Sequence, residues 1–223
     1  MKQEILNFKF DNKKNFFVTS KNALAFDLIK RWPHWNNQFF FLYGSSKCGK
    51  TSLSEIWQKN SNAYFLNEKK INDIFSKNTD LNSINENNWV IDNIDLFIGK
   101  KNNDKKILNL INILQEKKKS YLLMTSKVPP KNLPTKIDDL ISRISGSLVV
   151  KVYEPDNFLL GQIIKKYLEE REIHIDKKKL NYLTNRIERS YKFAIRIAKK
   201  IDKESMERHS QISLSFLKKL LED

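Results

Sequence analysis

Apolar positions along the chain follow two patterns, and the change between them comes about two thirds of the way along. In the first part, short apolar runs stand between polar segments, at Phe39–Tyr43, Ala63–Leu66, Trp89–Asp92, Tyr121–Thr125 and Leu148–Val152. Runs of this length predict strands buried on both faces. Between them lie helical spacings, such as Ile107, Leu110, Ile111 and Leu114 at i, i+3, i+4 and i+7. Continuous apolar strands alternating with helices predict a parallel sheet covered on both faces, a three-layer α/β domain.

After Glu154-Pro155-Asp156 only the helical period remains. Leu160, Ile163, Ile164, Tyr167 and Leu168 predict one helix, Leu180, Leu183 and Ile187 a second, and Ala194, Ile197, Ala198 and Ile201 a third. A last short helix carries Phe216, Leu217, Leu220 and Leu221, with Ser215 expected as its cap. The expected division is an α/β domain over 11–154 and an all-helical lid over 155–223.

Composition bounds the class. With 40% hydrophobic and 11% aromatic residues the chain can bury a core. The longest apolar run, Phe39–Tyr43, falls far short of the ~20 residues a membrane span needs. The start, MKQEILNFKF, has no apolar stretch of signal-peptide type, and the single cysteine, Cys48, cannot form an internal disulfide. A cytoplasmic protein without membrane association is expected.

The net charge of +15 invites a nucleic-acid reading. Yet 34 of the 41 basic residues are Lys and only 7 are Arg, alongside 24 Asn and five each of Gly, Pro and Ala. That is the mark of A/T-rich codon usage. The charge is +10 over 1–154 and +5 over 155–223, nearly even per residue, so the sequence predicts no basic tail or single basic helix. DNA contact is expected to be indirect or non-specific.

The strongest chemical signal is Gly44-Ser45-Ser46-Lys47-Cys48-Gly49-Lys50-Thr51, followed by Ser52, which fits G-x-x-x-x-G-K-[ST] at every fixed position. It follows a predicted strand and opens a predicted helix, as a phosphate loop must. Its backbone N–H groups would close around phosphate oxygens, with Lys50 on the β- and γ-phosphates and Thr51 on Mg²⁺. Asp92, ending an apolar strand, is the expected second Mg²⁺-side ligand. Asn93 follows it and cannot accept a proton as a carboxylate can, so binding of ADP or ATP with weak intrinsic hydrolysis is expected. His34, His174 and His209 have no ligand spacing, and no other metal is expected.

Taken in order, these segments resemble the AAA+ domain of the bacterial replication initiator DnaA and, within that family, its shortened relatives, the Hda-type regulatory inactivators. The resemblance covers almost the whole chain. Val18–Ala25 is similar to the family's N-terminal box, which implies Asn22 beside the adenine. GSSKCGKT resembles Walker A and WVIDNID Walker B. Thr125-Ser126-Lys127-Val128-Pro129-Pro130 resembles the sensor-one segment, implying that Ser126 or Thr125 faces the nucleotide. Asp139–Arg143 is similar to the segment carrying the arginine finger, implying that Arg143 acts on ATP held by a neighbouring subunit. The alternative for Arg143 is a surface arginine paired with Asp139. Ser190–Ala194 stands where sensor two is expected, with Lys192, or Arg196 under a shifted alignment, in the place of the family's Arg. Arg31-Trp32-Pro33-His34-Trp35 resembles a stretch of alphaproteobacterial inactivators and is expected to pack on the core as a helix end. The resemblance does not extend to the initiator's helix-turn-helix DNA-binding domain, and DNA reading of that kind is not expected.

Gln3-Glu4-Ile5-Leu6-Asn7-Phe8 is similar to peptides that dock on the DNA polymerase III sliding clamp, with Gln3 as polar hook and Leu6 and Phe8 as apolar anchors. Residues 1–10 are therefore expected to be a clamp-binding segment. The resemblance implies a negative regulator of replication initiation. Tethered to the clamp, it would stimulate ATP hydrolysis by DnaA through Arg143, with homo-oligomers also compatible. Two alternatives stay open: a DNA-binding or remodelling AAA+ ATPase working through its basic surface, and a nucleotide-gated recruitment module without catalytic output.

Overall fold

The computed structural model describes residues 9–11, 16–75, 87–100, 102–117, 119–208 and 212–222. By internal contacts the chain forms two compact units. One runs to Tyr153 without Lys47–Gly49, and the other joins Lys47–Gly49 to Glu154–Asp223.

The first unit opens with an antiparallel hairpin, β1 (Lys9–Asp11) and β2 (Phe16–Val18), in register Lys9↔Val18. Lys9 and Phe10, the last residues of the expected 1–10 peptide, thus belong to a ladder that apolar patterning did not reveal. Helix α1 (Ala23–Lys30) follows. The main sheet has five strands: β3 (Phe39–Tyr43), β4 (Tyr64–Phe65), β5 (Trp89–Ile91), β6 (Leu122–Ser126) and β7 (Leu148–Lys151). All pairs are parallel, in the order β4-β5-β6-β3-β7. The central strands β3 and β6 are buried along nearly their whole length, as their unbroken apolar runs require.

The crossovers are α2 (Lys50–Ser61), α3 (Glu68–Ile74), α4 (Asn103–Glu116) and α5 (Asp138–Ser145). On one face Ile107, Leu110, Ile111 and Leu114 of α4 and Leu140 and Ile144 of α5 join Phe39, Phe41, Ile91, Leu122 and Met124 in a single core cluster. On the other face α1 and α2 cover the sheet, where Trp35 meets Phe40 edge-on at 5.0 Å and stacks on Trp57 at 5.2 Å. Trp32 and Tyr121 close this aromatic group, so the Arg31–Trp35 stretch packs on the core through Trp32 and Trp35, while Arg31, Pro33 and His34 are exposed.

The second unit contains α6 (Asn157–Glu169), α7 (Lys177–Thr184), α8 (Tyr191–Arg208) and α9 (Leu214–Glu222). Polar caps fix where helices start. Asp156 accepts from Leu159 N at 2.8 Å, Asp176 from Lys179 N at 2.8 Å and Ser190 from Phe193 N at 3.2 Å. The last helix begins earlier than expected: Ser213, not Ser215, accepts from Phe216 N, at 3.0 Å, and Ser215 lies inside the helix. Ile187 lies beyond α7, in a turn where its N–H bonds to Leu183 O, yet it is buried as the pattern requires. Among the described residues no helix is long and apolar enough to cross a membrane.

Candidate functional site

Parallel strands leave the sheet at one edge, and that edge gathers the polar side chains. β3 ends at Tyr43, and the chain turns through Gly44–Gly49 into α2. The turn needs unusual backbone angles. Lys47 is left-handed at φ 66° and Gly49 stands at φ 105°, a conformation that side-chain-bearing residues rarely adopt. The first turn of α2, with Lys50, Thr51 and Ser52, points its unshared N–H groups and positive dipole end into this loop. Cys48 is buried within it. Lys50 is only 5% exposed, and its Nζ donates to Gly44 O and Ser45 O, each at 2.7 Å.

Register brings the partner side chains together. β6 lies between β3 and β5, with Leu42 opposite Thr125 and Ile91 opposite Met124. Asp92, one residue past β5, therefore reaches both neighbours. Thr51 Oγ1 donates to Asp92 Oδ2 at 2.9 Å, and Thr125 Oγ1 donates to Asp92 Oδ1 at 2.6 Å. Asn93, left-handed at φ 55°, donates its N–H to Thr125 Oγ1 at 2.8 Å and its side-chain amide to Asp92 Oδ2 at 3.0 Å. The carboxylate is thus held by three side chains from three elements.

Thr125 is the sensor-segment residue in contact with this cluster. Ser126 is fully buried, with its carbonyl accepting from Gly44 N at 3.2 Å and its hydroxyl from Val128 N at 3.1 Å. Asp95, the other nearby carboxylate, accepts from the backbone N–H of Lys127 at 3.2 Å. Asn22 closes a turn, its Oδ1 accepting from Thr19 N at 2.8 Å. Tyr153 N bonds to Lys21 O at 3.2 Å and Val152 N to Tyr43 O at 2.8 Å, which brings the Asn22 turn to the strand end beside Gly44.

Arg143 lies elsewhere. Helix α5 returns the chain from the carboxyl end of β6 to the amino end of β7, and Arg143 sits in its last turn. There Nε pairs with Asp139 Oδ1 at 3.2 Å, the local pairing that was the alternative reading, and Nη1 donates to Gln115 on α4. Gln115 was not foreseen, since nothing local in the sequence links it to Arg143. Lys192 is exposed on the first turn of α8. Gln3, Leu6 and Phe8 lie outside the described residues.

The oxygen donors Thr51 and Asp92 suit a hard cation of Mg²⁺ type, which takes one or two protein ligands together with phosphates and water. No group of three or more His, Cys, Asp or Glu able to hold a metal occurs among the described residues, so a closed transition-metal site is not what this cluster offers.

No protein-family model matches the chain. Its sequence is similar to chromosomal replication initiator proteins DnaA. It is 25% identical to that of Nautilia profundicola over 226 residues (94% of this chain, 52% of the relative) and 29% identical to that of Limosilactobacillus reuteri over 163 residues (66% and 37%). The chain thus spans about half, or less, of the curated relatives' length. Domain III of the Thermotoga maritima initiator DnaA superimposes with a TM-score of 0.70 at 21% identity, covering 94% of each chain. AMPPCP-bound DnaA from Aquifex aeolicus does so at 0.70 and 22%, covering 90% of this chain and 72% of the other. Thermotoga maritima RuvB, a Holliday junction branch migration motor, gives 0.61 at 18%, covering 91% and 66%. The chain therefore has the α/β P-loop AAA+ fold, and its likeness in sequence supports a DnaA-related AAA+ family.

Proposed function

We propose that this protein is a nucleotide-binding AAA+ regulator of replication initiation that acts on ATP held by a DnaA-type initiator. One observation supports the reading: the two residue sets expected to serve phosphate lie at opposite ends of the strands. Lys50, Thr51, Asp92 and Thr125 converge at the strands' carboxyl edge, and Arg143 is carried to the opposite edge. ADP or ATP with Mg²⁺ belongs to the first edge, with Lys50 on phosphate, Thr51 and Asp92 on the cation, Asn22 near the base and Lys192 as the lid's cation. The AMPPCP complex of the Aquifex relative supports an adenine nucleotide.

Asn93 donates to Asp92 and cannot take a proton from water, so intrinsic turnover is weak. Arg143 serves a partner's nucleotide, where a guanidinium stabilises charge developing on the phosphoryl oxygens, an effect worth roughly 10³–10⁵ in rate. Gln3, Leu6 and Phe8 tether the protein to the sliding clamp, making it a negative regulator of the Hda type.

The test measures ATP hydrolysis by initiator in the presence of this protein and DNA-loaded clamp. Stimulation is expected, abolished by Arg143→Ala or by removing residues 1–8. Stimulation unchanged by Arg143→Ala, or no stimulation by the wild type, defeats the reading.

A further inference from the structure

The net charge is evenly spread in the sequence, but folding sorts part of it. On α8, Lys192, Arg196, Lys199 and Lys203 recur at i, i+4, i+7 and i+11, and all four are exposed. At 3.6 residues per turn they fall within an arc of about 60° along roughly 16 Å of helix. Within 192–203 the single acid is Asp202. It is drawn off this face by Arg171, whose Nε lies 3.0 Å away, leaving its side chain 16% exposed. Among the described residues, Lys192, Arg196 and Lys199 make no ion pair, and the Arg196 guanidinium rests over the Phe193 ring at 5.5 Å. Five of the seven arginines, the residues codon bias least explains, lie in this helical unit.

We propose that this face of α8 binds the phosphodiester backbone of nucleic acid without reading sequence. A duplex presents one phosphate per strand every ~3.4 Å of axis, so a 16 Å row of cations meets several at once. The opposite face of α8, Ala194, Ile197, Ala198 and Ile201, is buried in the helical core and is not free to enter a lipid interface. That favours a rigid polyanion over a membrane surface. The surface shares only Lys192 with the proposed nucleotide site, and because Arg196, Lys199 and Lys203 carry the test, its failure would leave the nucleotide reading untouched.

The test follows binding of the full chain to a 30-base-pair duplex and to oligo(dT) by fluorescence anisotropy from 50 to 200 mM salt. For four contacts, log K against log salt should fall with a slope of about −3 to −4 on duplex and about −3 on the single strand, and the probe bound more tightly at equal salt identifies the source of backbone. Arg196→Gln with Lys199→Gln and Lys203→Gln should flatten the duplex slope by about 2 to 3 and weaken binding at least tenfold at 50 mM. Lys192 is left intact because it is a candidate for the nucleotide site. Lys131→Gln with Lys136→Gln and Lys178→Gln removes the same charge from other exposed positions and should change the slope by less than 1. Single Arg196→Gln and Lys199→Gln variants, each flattening it by about 1, keep the test sound should the triple unfold. Equal losses in both triples, no measurable binding, or preferential stripe-dependent binding to phosphatidylserine vesicles would each overturn the proposal.

Discussion

The two edges of the central sheet solve opposite problems with similar residue types. At the carboxyl edge, polar groups are interlocked around buried Lys50 and Thr125: Lys50 on two loop carbonyls, and half-buried Asp92 held by exposed Thr51, Thr125 and Asn93. At the amino edge, polar groups seal backbone ends. Gln38 Nε2 reaches the carbonyls of Leu114, Lys117 and Ser120 at 3.2, 2.9 and 3.1 Å, and Asn37 reaches Gly146 O at 2.8 Å. Aromatic packing of Trp32, Trp35, Trp57 and Tyr121 stiffens that end, and Arg143 lies at the surface there. Stability and chemistry are thus divided between edges. One edge collects groups that a bound phosphate and cation would use, and the other holds the sheet together while carrying a cation outward.

Substitutions break or sharpen this contrast, the largest effect coming from the aromatic end. Trp57→Ala should cost about 3–5 kcal/mol, as large aromatic truncations in cores do, lowering Tm by roughly 6–20 °C for a chain of this size. A thermal melt showing a loss under 1 kcal/mol would mean that end is not the stabilising one. Thr125→Val removes the fully buried hydroxyl that joins Asp92 to Asn93, stranding the half-buried Asn93 N–H, and should cost about 1–3 kcal/mol in urea unfolding. The same variant should weaken Mg²⁺-dependent nucleotide binding, which Trp57→Ala, in its folded fraction, should not.

Much of this division was legible in the chain. Each strand expected from an apolar run exists: β3 and β6 are buried on both faces and have few polar positions to obscure them, whereas the edge strands β4 and β7 are only partly buried. The phosphate loop was legible because its chemistry is local: a glycine where φ reaches 105°, then Lys50 and Thr51 opening a helix. Long-range geometry was not. That Thr125 and not its neighbour Ser126 meets Asp92 depends on strand register, and that Gln115 grips Arg143 depends on how α4 packs against α5. The β1–β2 hairpin escaped because its strands, KFD and FFV, are only three residues long and too short to show a period. The basic face of α8 escaped because a count per segment ignores helical phase.

Smaller effects mark the surface. Arg143→Ala should shift stability by about 0–1 kcal/mol, since its pair with Asp139 is solvent-exposed, and should leave nucleotide affinity unchanged. A larger loss by calorimetry would make Arg143 a structural clamp and weaken its assignment to a partner's site. Smallest of all, hydrogen bonds from the Lys179 side chain and backbone at the start of α7 lower the Asp176 pKa below its usual 3.8. A depressed carboxylate stabilises the fold above its unfolded pKa and loses that contribution as pH falls through the folded value. Asp176→Asn should therefore narrow the stability difference between pH 5 and pH 3, seen as a smaller acid-induced Tm drop.

The central claim is that the carboxyl edge holds a nucleotide through Lys50 with a cation on Thr51 and Asp92. Titration of fluorescent ADP against the protein with and without Mg²⁺, beside Lys50→Ala, tests it most directly. Losing hydrogen bonds from a charged donor, worth about 1.5–3 kcal/mol, predicts saturable binding weakened roughly 10- to 150-fold in the variant. Saturable binding of equal affinity in both proteins, or no binding by a folded wild type, would contradict the account.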